Sequence, residues 1–319
     1  MHFATKGLLR AALLLAIGTG AGYAQTASTA PATGATPPPV PLLWKVSDHD
    51  NSVYLLGAFH LLKPEDYPLP KEVEAAFADA ESLMFELSPA DLAAPEVAGK
   101  FAAAAAFNDG KTLKQVLSPA TYAALDKMAA AAGGAATMEQ SEPWFLTMMI
   151  SVGVMQRLGF KPDLGLDQYL MKRAADAYKP VVGLETVDAQ LAAMDATPMQ
   201  EQVASLKEFV DDPQKSVADM LELHRQWRAG DVAGLNRTMR EEMIAKTPQT
   251  YRLIDVQRNQ AWLPKIAKRL DGISGDNTLV VVGALHLLGP DGLVEGLRAK
   301  GYKVERICAA CKTTGTVAH

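Results

Sequence analysis

The chain has 319 residues, a formal net charge of −5 at neutral pH, and 49% hydrophobic against 21% charged residues. That apolar content suits one large buried core, and a mildly acidic balance with no block of Lys or Arg argues against nucleic acid or an anionic membrane surface as the partner. No internal apolar run is long enough to cross a bilayer.

Lys6 and Arg10 precede the apolar run 11–18, and Gly22-Tyr23-Ala24 places small residues before a cut after Ala24. This pattern predicts a secretory signal peptide over residues 1–24, hence a periplasmic or secreted protein with no stable membrane insertion once it is removed. Residues 25–41 are Ala, Thr and Pro without charge, which predicts a disordered or polyproline-like linker. His2 departs with the signal peptide.

Residues 42–57 read as a hairpin around the turn Asp48-His49-Asp50-Asn51, with His49 a solvated turn residue. A helix is expected near 70–80 and a short strand over 82–87, in which Glu86 closes the apolar run. Residues 90–160 are rich in Ala and Met with helical periodicity, and Met148, Met149 and Met155 are expected to pack in a core. A helix over 165–178 leads to a strand over 179–185 that ends at Glu185. Helices then dominate to residue 271, with Pro198, Pro213, Pro248 and Pro264 at helix starts and Gly230 at a break. His224 lies within this stretch as a structural or exposed residue. A strand over 277–283, a helix over 289–301 and a strand over 302–307 complete the pattern.

Strands alternating with helices predict an α/β domain over 42–310 and a short tail over 311–319. The expected architecture is a central mixed sheet with helical insertions at about 90–160 and 190–271, partly roofing one edge. In an oxidising compartment Cys308 and Cys311 are expected to form a local disulfide.

The chemistry is carried by a repeat. Residues 53–65 (VYLLGAFHLLKPE) and 279–291 (LVVVGALHLLGPD) share Gly57/Gly283, Ala58/Ala284, His60/His286, Leu61/Leu287, Leu62/Leu288 and Pro64/Pro290. Each copy delivers a histidine just past a strand end, where open α/β sheets hold their ligands. A lone histidine there more often bonds a neighbouring backbone group; a duplicated one favours a shared site. Glu86 and Glu185 stand at two further strand ends, and a carboxylate after a buried strand requires partners. Two imidazoles and two carboxylates form a donor set suited to a divalent metal with an open position. Arg258 and Asn259, on a helix before the second copy, are candidates to stabilise an oxyanion and to hold a ligand or catalytic residue.

The segments W-K-V-S, Y-L-L-G-A-F-H, K-P-E-D-Y-P-L-P, F-E-L, G-L-E-T, R-N-x-x-W and V-V-V-G-A-L-H resemble the GumN branch of the TraB/PrgY/Tiki superfamily over most of residues 42–307. The resemblance implies a fold similar to the erythromycin-esterase and ChaN-like proteins. It also implies a metalloprotease activity, because Tiki proteins, similar in both G-x-x-H motifs, are divalent-metal-dependent proteases of the Mn or Co type. The implied site is His60, Glu86, Glu185 and His286, supported by Arg258 and Asn259, with Zn a further candidate metal and a peptide or protein the substrate. Glu185 is favoured over Glu86 as base or ligand. Competing expectations are a non-catalytic binding protein for metal, haem or sugar, and a metal-independent esterase-like hydrolase.

Overall fold

The computed structural model describes residues 37–272 and 275–312. The predicted signal peptide, residues 25–36 of the linker and most of the tail lie outside this range. Residues 37–41 run beside the end of helix Pro213–Arg228: Val40 N–H donates to the Arg228 carbonyl (2.7 Å), and Arg228 Nη2 donates to the Pro37 carbonyl (2.7 Å).

Six strands form one mixed sheet: β1 (Leu43–Ser47), β2 (Ser52–Ala58), β3 (Ser82–Phe85), β4 (Val181–Gly183), β5 (Thr278–Gly283) and β6 (Lys303–Arg306). Their order is β4-β3-β5-β2-β1-β6. The four strands β4, β3, β5 and β2 are mutually parallel, while β1 runs antiparallel to both β2 and β6. The chain is therefore α/β, as the alternation of elements predicts. Every residue of β2 and β5 is buried, which explains their unbroken apolar runs: parallel strands covered on both faces show no alternation. At the β1–β2 turn, Asp48 Oδ1 accepts the N–H groups of Asp50 and Asn51 (3.1 and 3.2 Å).

The two repeat copies lie side by side. In the β2–β5 ladder Gly57 faces Val282 and Ala58 faces Gly283, so the copies are staggered by one residue. A Cβ on Gly57 would come within 3.1 Å of Leu42 Cβ and 3.3 Å of Ala284 Cα. Glycine thus lets the hairpin and the second copy approach closely.

The helical insertions pack on one another and carry cores of their own. One cluster joins Leu87, Val97, Trp144 and Met148 to Val187 and Leu191; another joins Leu113, Leu125 and Leu146 to Leu206 and Val210. Among the methionines, Met148 and Met155 are buried but Met149 is 50% exposed, because helix Pro143–Arg157 keeps one face to solvent. Pro264 does not start a helix; it lies inside helix Gln257–Leu270. Proline there costs a backbone hydrogen bond, about 3 kcal/mol. The burial of Trp262, Ile266, Ala267 and Leu270 on either side offsets it. The helix expected over 289–301 is shorter, Leu293–Ala299, since the residues after β5 first form a 3-10 turn, Ala284–Leu287. Two π-helical segments, Asn236–Glu241 and Arg252–Val256, had no signature in the sequence.

Candidate active site

The carboxyl ends of the four parallel strands are neighbours, and each is followed by one predicted site residue. Reading across the sheet these are Glu185 after β4, Glu86 after β3, His286 after β5 and His60 after β2. His60 is 7% exposed, Glu86 8% and His286 1%, while Glu185 is half-buried with its side chain turned inward. Arg258 and Asn259 project from the first turn of helix Gln257–Leu270 and are buried too.

Arg258 ties the two carboxylates together. Its Nη2 donates to Glu86 Oε2 and to Glu185 Oε1, both at 2.6 Å, and its Nε lies 3.1 and 3.2 Å from the two Glu185 oxygens. Nη1 donates to the Ile254 carbonyl (3.0 Å) and lies 3.3 Å from His286 Nε2. Ile254 belongs to the π-helical segment Arg252–Val256, so that irregular turn supplies the carbonyl that aims the guanidinium. Burial disfavours the charge of Arg258, but Glu86 and Glu185 outweigh it and hold the group firmly protonated. The guanidinium also covers the Trp262 ring, 4.6 Å from its centroid.

Glu185 has both oxygens engaged: besides Arg258, Trp262 Nε1 donates to Oε2 (3.2 Å) and Gln190 Nε2 donates to Oε1 (3.2 Å). Glu86 differs. Its Oε2 takes Arg258, whereas its Oε1 accepts the Gly283 N–H (2.7 Å) and lies 3.9 Å from His60 Nε2 and 3.8 Å from His286 Nε2. Burial would raise the Glu86 pKa, yet Arg258, then His286, His60 and the Gly283 N–H, lower it to about 2. Glu86, rather than Glu185, is the carboxylate that faces the imidazoles.

Each imidazole is held from behind. His60 Nδ1 lies 3.1 Å from Asp167 Oδ2. His286 Nδ1 lies 2.8 Å from Asn259 Oδ1 and 2.9 Å from Asp255 Oδ1. Burial disfavours the His60 imidazolium, but Asp167 and then Glu86 prevail against it and against Arg258, so its pKa is raised. Asp167 reaches His60 because Gly165 opens the following helix: a Cβ there would sit 2.3 Å from the His60 carbonyl oxygen, and Leu166 N–H donates to the Phe59 carbonyl (3.0 Å). Sequence reading missed Asp167, Asp255, Gln190 and Trp262. Asp255 stands three residues before the R-N-x-x-W segment, where a search for flanking carboxylates would have found it, whereas Asp167 in G-L-D adjoins none of the named motifs.

The remaining histidines lie elsewhere. His224 is buried, its Nε2 3.0 and 2.9 Å from the oxygens of the wholly buried Asp66, which also takes Arg228 and the Lys63 N–H. It is structural, securing the K-P-E-D turn after His60. Asp48, His49 and Asp50 are, among the described residues, the one set of three whose ligand atoms lie within 4.8 Å of one another, in an open turn where the His49 side chain is 86% exposed. An open cavity of about 730 Å³ is lined by Asp231, Asn236, Arg240, Gly289 and Arg306 among others, and none of the six predicted site residues borders it. Cys308 and Cys311 are disulfide-bonded. No helix among the described residues is long and apolar enough to cross a membrane.

No solved structure matches the chain. It is 24% identical over 251 residues to the uncharacterized protein YbaP of Escherichia coli (strain K12), covering 77% of this chain and 87% of that protein, and equally to YbaP of Shigella flexneri. The family profile for TraB/PrgY/gumN matches residues 42–306, a span that contains all six predicted site residues, and the chain belongs to the TraB/PrgY/gumN family.

Proposed function

We propose that the chain is an exported, divalent-metal-dependent hydrolase of the GumN and Tiki type, acting on an amide bond in a peptide or protein. The observation that carries this reading is the convergence of two imidazole Nε2 atoms on Glu86 Oε1, with His60 Nε2 buried and without a hydrogen-bond partner. A buried lone pair left unused is costly unless something binds it. The charge balance agrees. Glu86 and Glu185 pair with Arg258, Asp167 lies against His60 and Asp255 against His286, so with neutral imidazoles these four carboxylates and one guanidinium carry −3 (−4 + 1). The residues therefore suit a divalent cation of the Mn or Co type, with Zn also compatible with the N/O donors. Export rests on the pattern of residues 1–24, and the amide substrate rests on the resemblance of both G-x-x-H motifs to those of the Tiki proteases.

In this reading His60, His286 and Glu86 hold the ion, which when bound supplies Lewis-acid chemistry toward a carbonyl and a water. Glu185 keeps Arg258 in place, and Arg258 meets negative charge as it develops on the substrate. The burial of His60, Glu86, Arg258 and His286 limits access of bulk water and strengthens their mutual contacts.

A second reading has its own support. Arg258 Nη1 stands 3.3 Å from His286 Nε2, and the ligand atoms of His60, Glu86 and His286 are not all within 4.8 Å of one another. Hydrolysis without metal would use His60 Nε2 as general base, oriented by Asp167, with Arg258 as the oxyanion partner. Elemental analysis and titration of the purified chain with Mn, Co and Zn, beside His60→Ala and His286→Ala, separate the two. One ion per chain, lost in both variants, with chelator-sensitive digestion of a peptide library is the expected result. A folded wild type that binds none of these ions overturns the metal reading, and chelator-insensitive hydrolysis of ester or amide substrates selects the second.

A further inference from the structure

We infer that Asp167, Asn259 and Asp255 are positioning residues that fix both imidazoles as the Nδ1–H tautomer, leaving the two Nε2 atoms beside Glu86 without a proton. This deepens the hydrolase reading and rests on it only for the use made of those lone pairs.

The case for His286 is built from donors and acceptors alone. Asn259 Nδ2 donates to the Asp291 carbonyl (3.0 Å) and to Asp255 Oδ2 (3.3 Å). Both partners are acceptors only, so turning the amide over would set an oxygen against two oxygens. Asn259 Oδ1 is thereby the atom that faces His286 Nδ1 at 2.8 Å, and an oxygen there requires Nδ1 to carry the proton. The proton is directed at Asn259, which leaves Asp255 Oδ1, at 2.9 Å, as a charge beside the ring rather than a hydrogen-bond acceptor. The far side of the ring agrees independently. Arg258 Nη1 can only donate, and it lies 3.3 Å from Nε2; a proton on Nε2 would oppose donor to donor.

His60 reaches the same state by a shorter route. Asp167 Oδ2 accepts at 3.1 Å from Nδ1, and Nε2 has no partner among the described residues. The two rings thus reach one protonation pattern through different devices, a carboxylate for His60 and an amide locked by a carboxylate and a carbonyl for His286. An imidazole backed by a carboxylate or carbonyl on one nitrogen is what metal sites use to orient the other. Mere packing requires no such agreement between two rings on adjacent strands.

The test is a long-range ¹H–¹⁵N correlation spectrum of the imidazoles in the labelled, metal-free chain at alkaline pH, with assignments from His60→Gln and His286→Gln. The expected result is Nδ1–H on both rings. In Asp167→Asn the new amide can donate to Nδ1, and an Asp→Asn change at the corresponding place in a serine-protease triad, a worked case in general enzymology, yields the wrong tautomer. His60 should then shift to Nε2–H with His286 unchanged, and affinity for Zn²⁺ should fall ~10–100-fold. Nε2–H on either ring of the wild type overturns the inference, as does Asp167→Asn with the His60 tautomer and Zn²⁺ affinity unaltered. Should Asp167→Asn fail to fold, the wild-type spectrum decides alone. Nδ1–H on both rings in a protein that binds neither Zn²⁺ nor Mn²⁺ upholds the inference and overturns the metal reading by itself.

Discussion

Replacing Arg258 with Met removes the one cation that joins two buried carboxylates, and its cost can be worked from the contacts. Glu86 would keep the Gly283 N–H, and Glu185 would keep Trp262 and Gln190, but neither would retain a countercharge in hydrogen-bond contact. Breaking a buried pair in this way costs ~3–5 kcal/mol. The titration of Glu86 gives a second measure. Its pKa falls from 4.5 to about 2 on folding, and at about 1.36 kcal/mol per unit this is ~3 kcal/mol, Arg258 being the largest of the favourable causes. Because the folded pKa is depressed, the unfolded chain binds more protons between about pH 2 and 4.5, and wild-type stability rises with pH across that window. The variant lacks most of that rise. Urea unfolding of the chelated proteins, followed by circular dichroism, should show a loss of ~3–5 kcal/mol at about pH 7 that shrinks toward pH 3. Arg258→Lys should recover only part of it, since an ammonium cannot span both carboxylates with a planar fork. A loss below about 1 kcal/mol at neutral pH, or one that does not change with pH, refutes the assignment of Arg258 as the charge that balances this site.

Gly165→Ala places a methyl 2.3 Å from the His60 carbonyl, so the helix must retreat and carry Asp167 with it. The expected result is a loss of ~1–3 kcal/mol together with weaker metal binding; unchanged melting temperature and affinity would contradict the close approach. Asp66→Ala strands His224 and Arg228 and should cost ~3–5 kcal/mol by the same logic. Burial raises the Asp66 pKa, but His224 and Arg228 with the Lys63 N–H bring it below its ordinary value. Its contribution is therefore present above the unfolded carboxylate range and lost as the pH falls through it. A variant whose loss grows on acidification would contradict this sign.

The elements most legible in the sequence were those with a single cause. The hairpin over 42–57 and the apolar strand that became β5 were visible as β-rich runs, and the duplicated G-A-x-H-L-L marked the two strands whose ends lie side by side. That all four groups after the parallel strands are chemistry-bearing was visible residue by residue, as were Arg258 and Asn259. What the sequence does not carry is direction. Glu86 and Glu185 both end strands, and only the order β4-β3-β5-β2 shows that Glu86 is flanked by the strand of His286 while Glu185 lies on the far side of Arg258. Asp167 and Asp255 were passed over because an acid on a helix usually reads as a solvated face. Their inward placement follows from Gly165 and from a π-helical segment, and neither has a reliable local signature. Pro264 misled for a related reason: tertiary packing overrode a local rule.

The position of β5 has a consequence for how the protein comes into being. Of the strands it is the fifth in sequence, yet it lies between β3 and β2. Until residues 278–283 arrive, the hairpin β1–β2 and the pair β3–β4 share no hydrogen bonds, and each leaves an apolar parallel edge open. The insertion that joins them also delivers His286 and the Gly283 N–H to Glu86. A chain stopped short of residue 278 would thus lack three of its five strand pairings, those of β5 with β2 and β3 and that of β6 with β1, together with its second imidazole. Completion of the sheet and assembly of the candidate site are therefore one event, and an unfinished chain would expose two apolar strand edges.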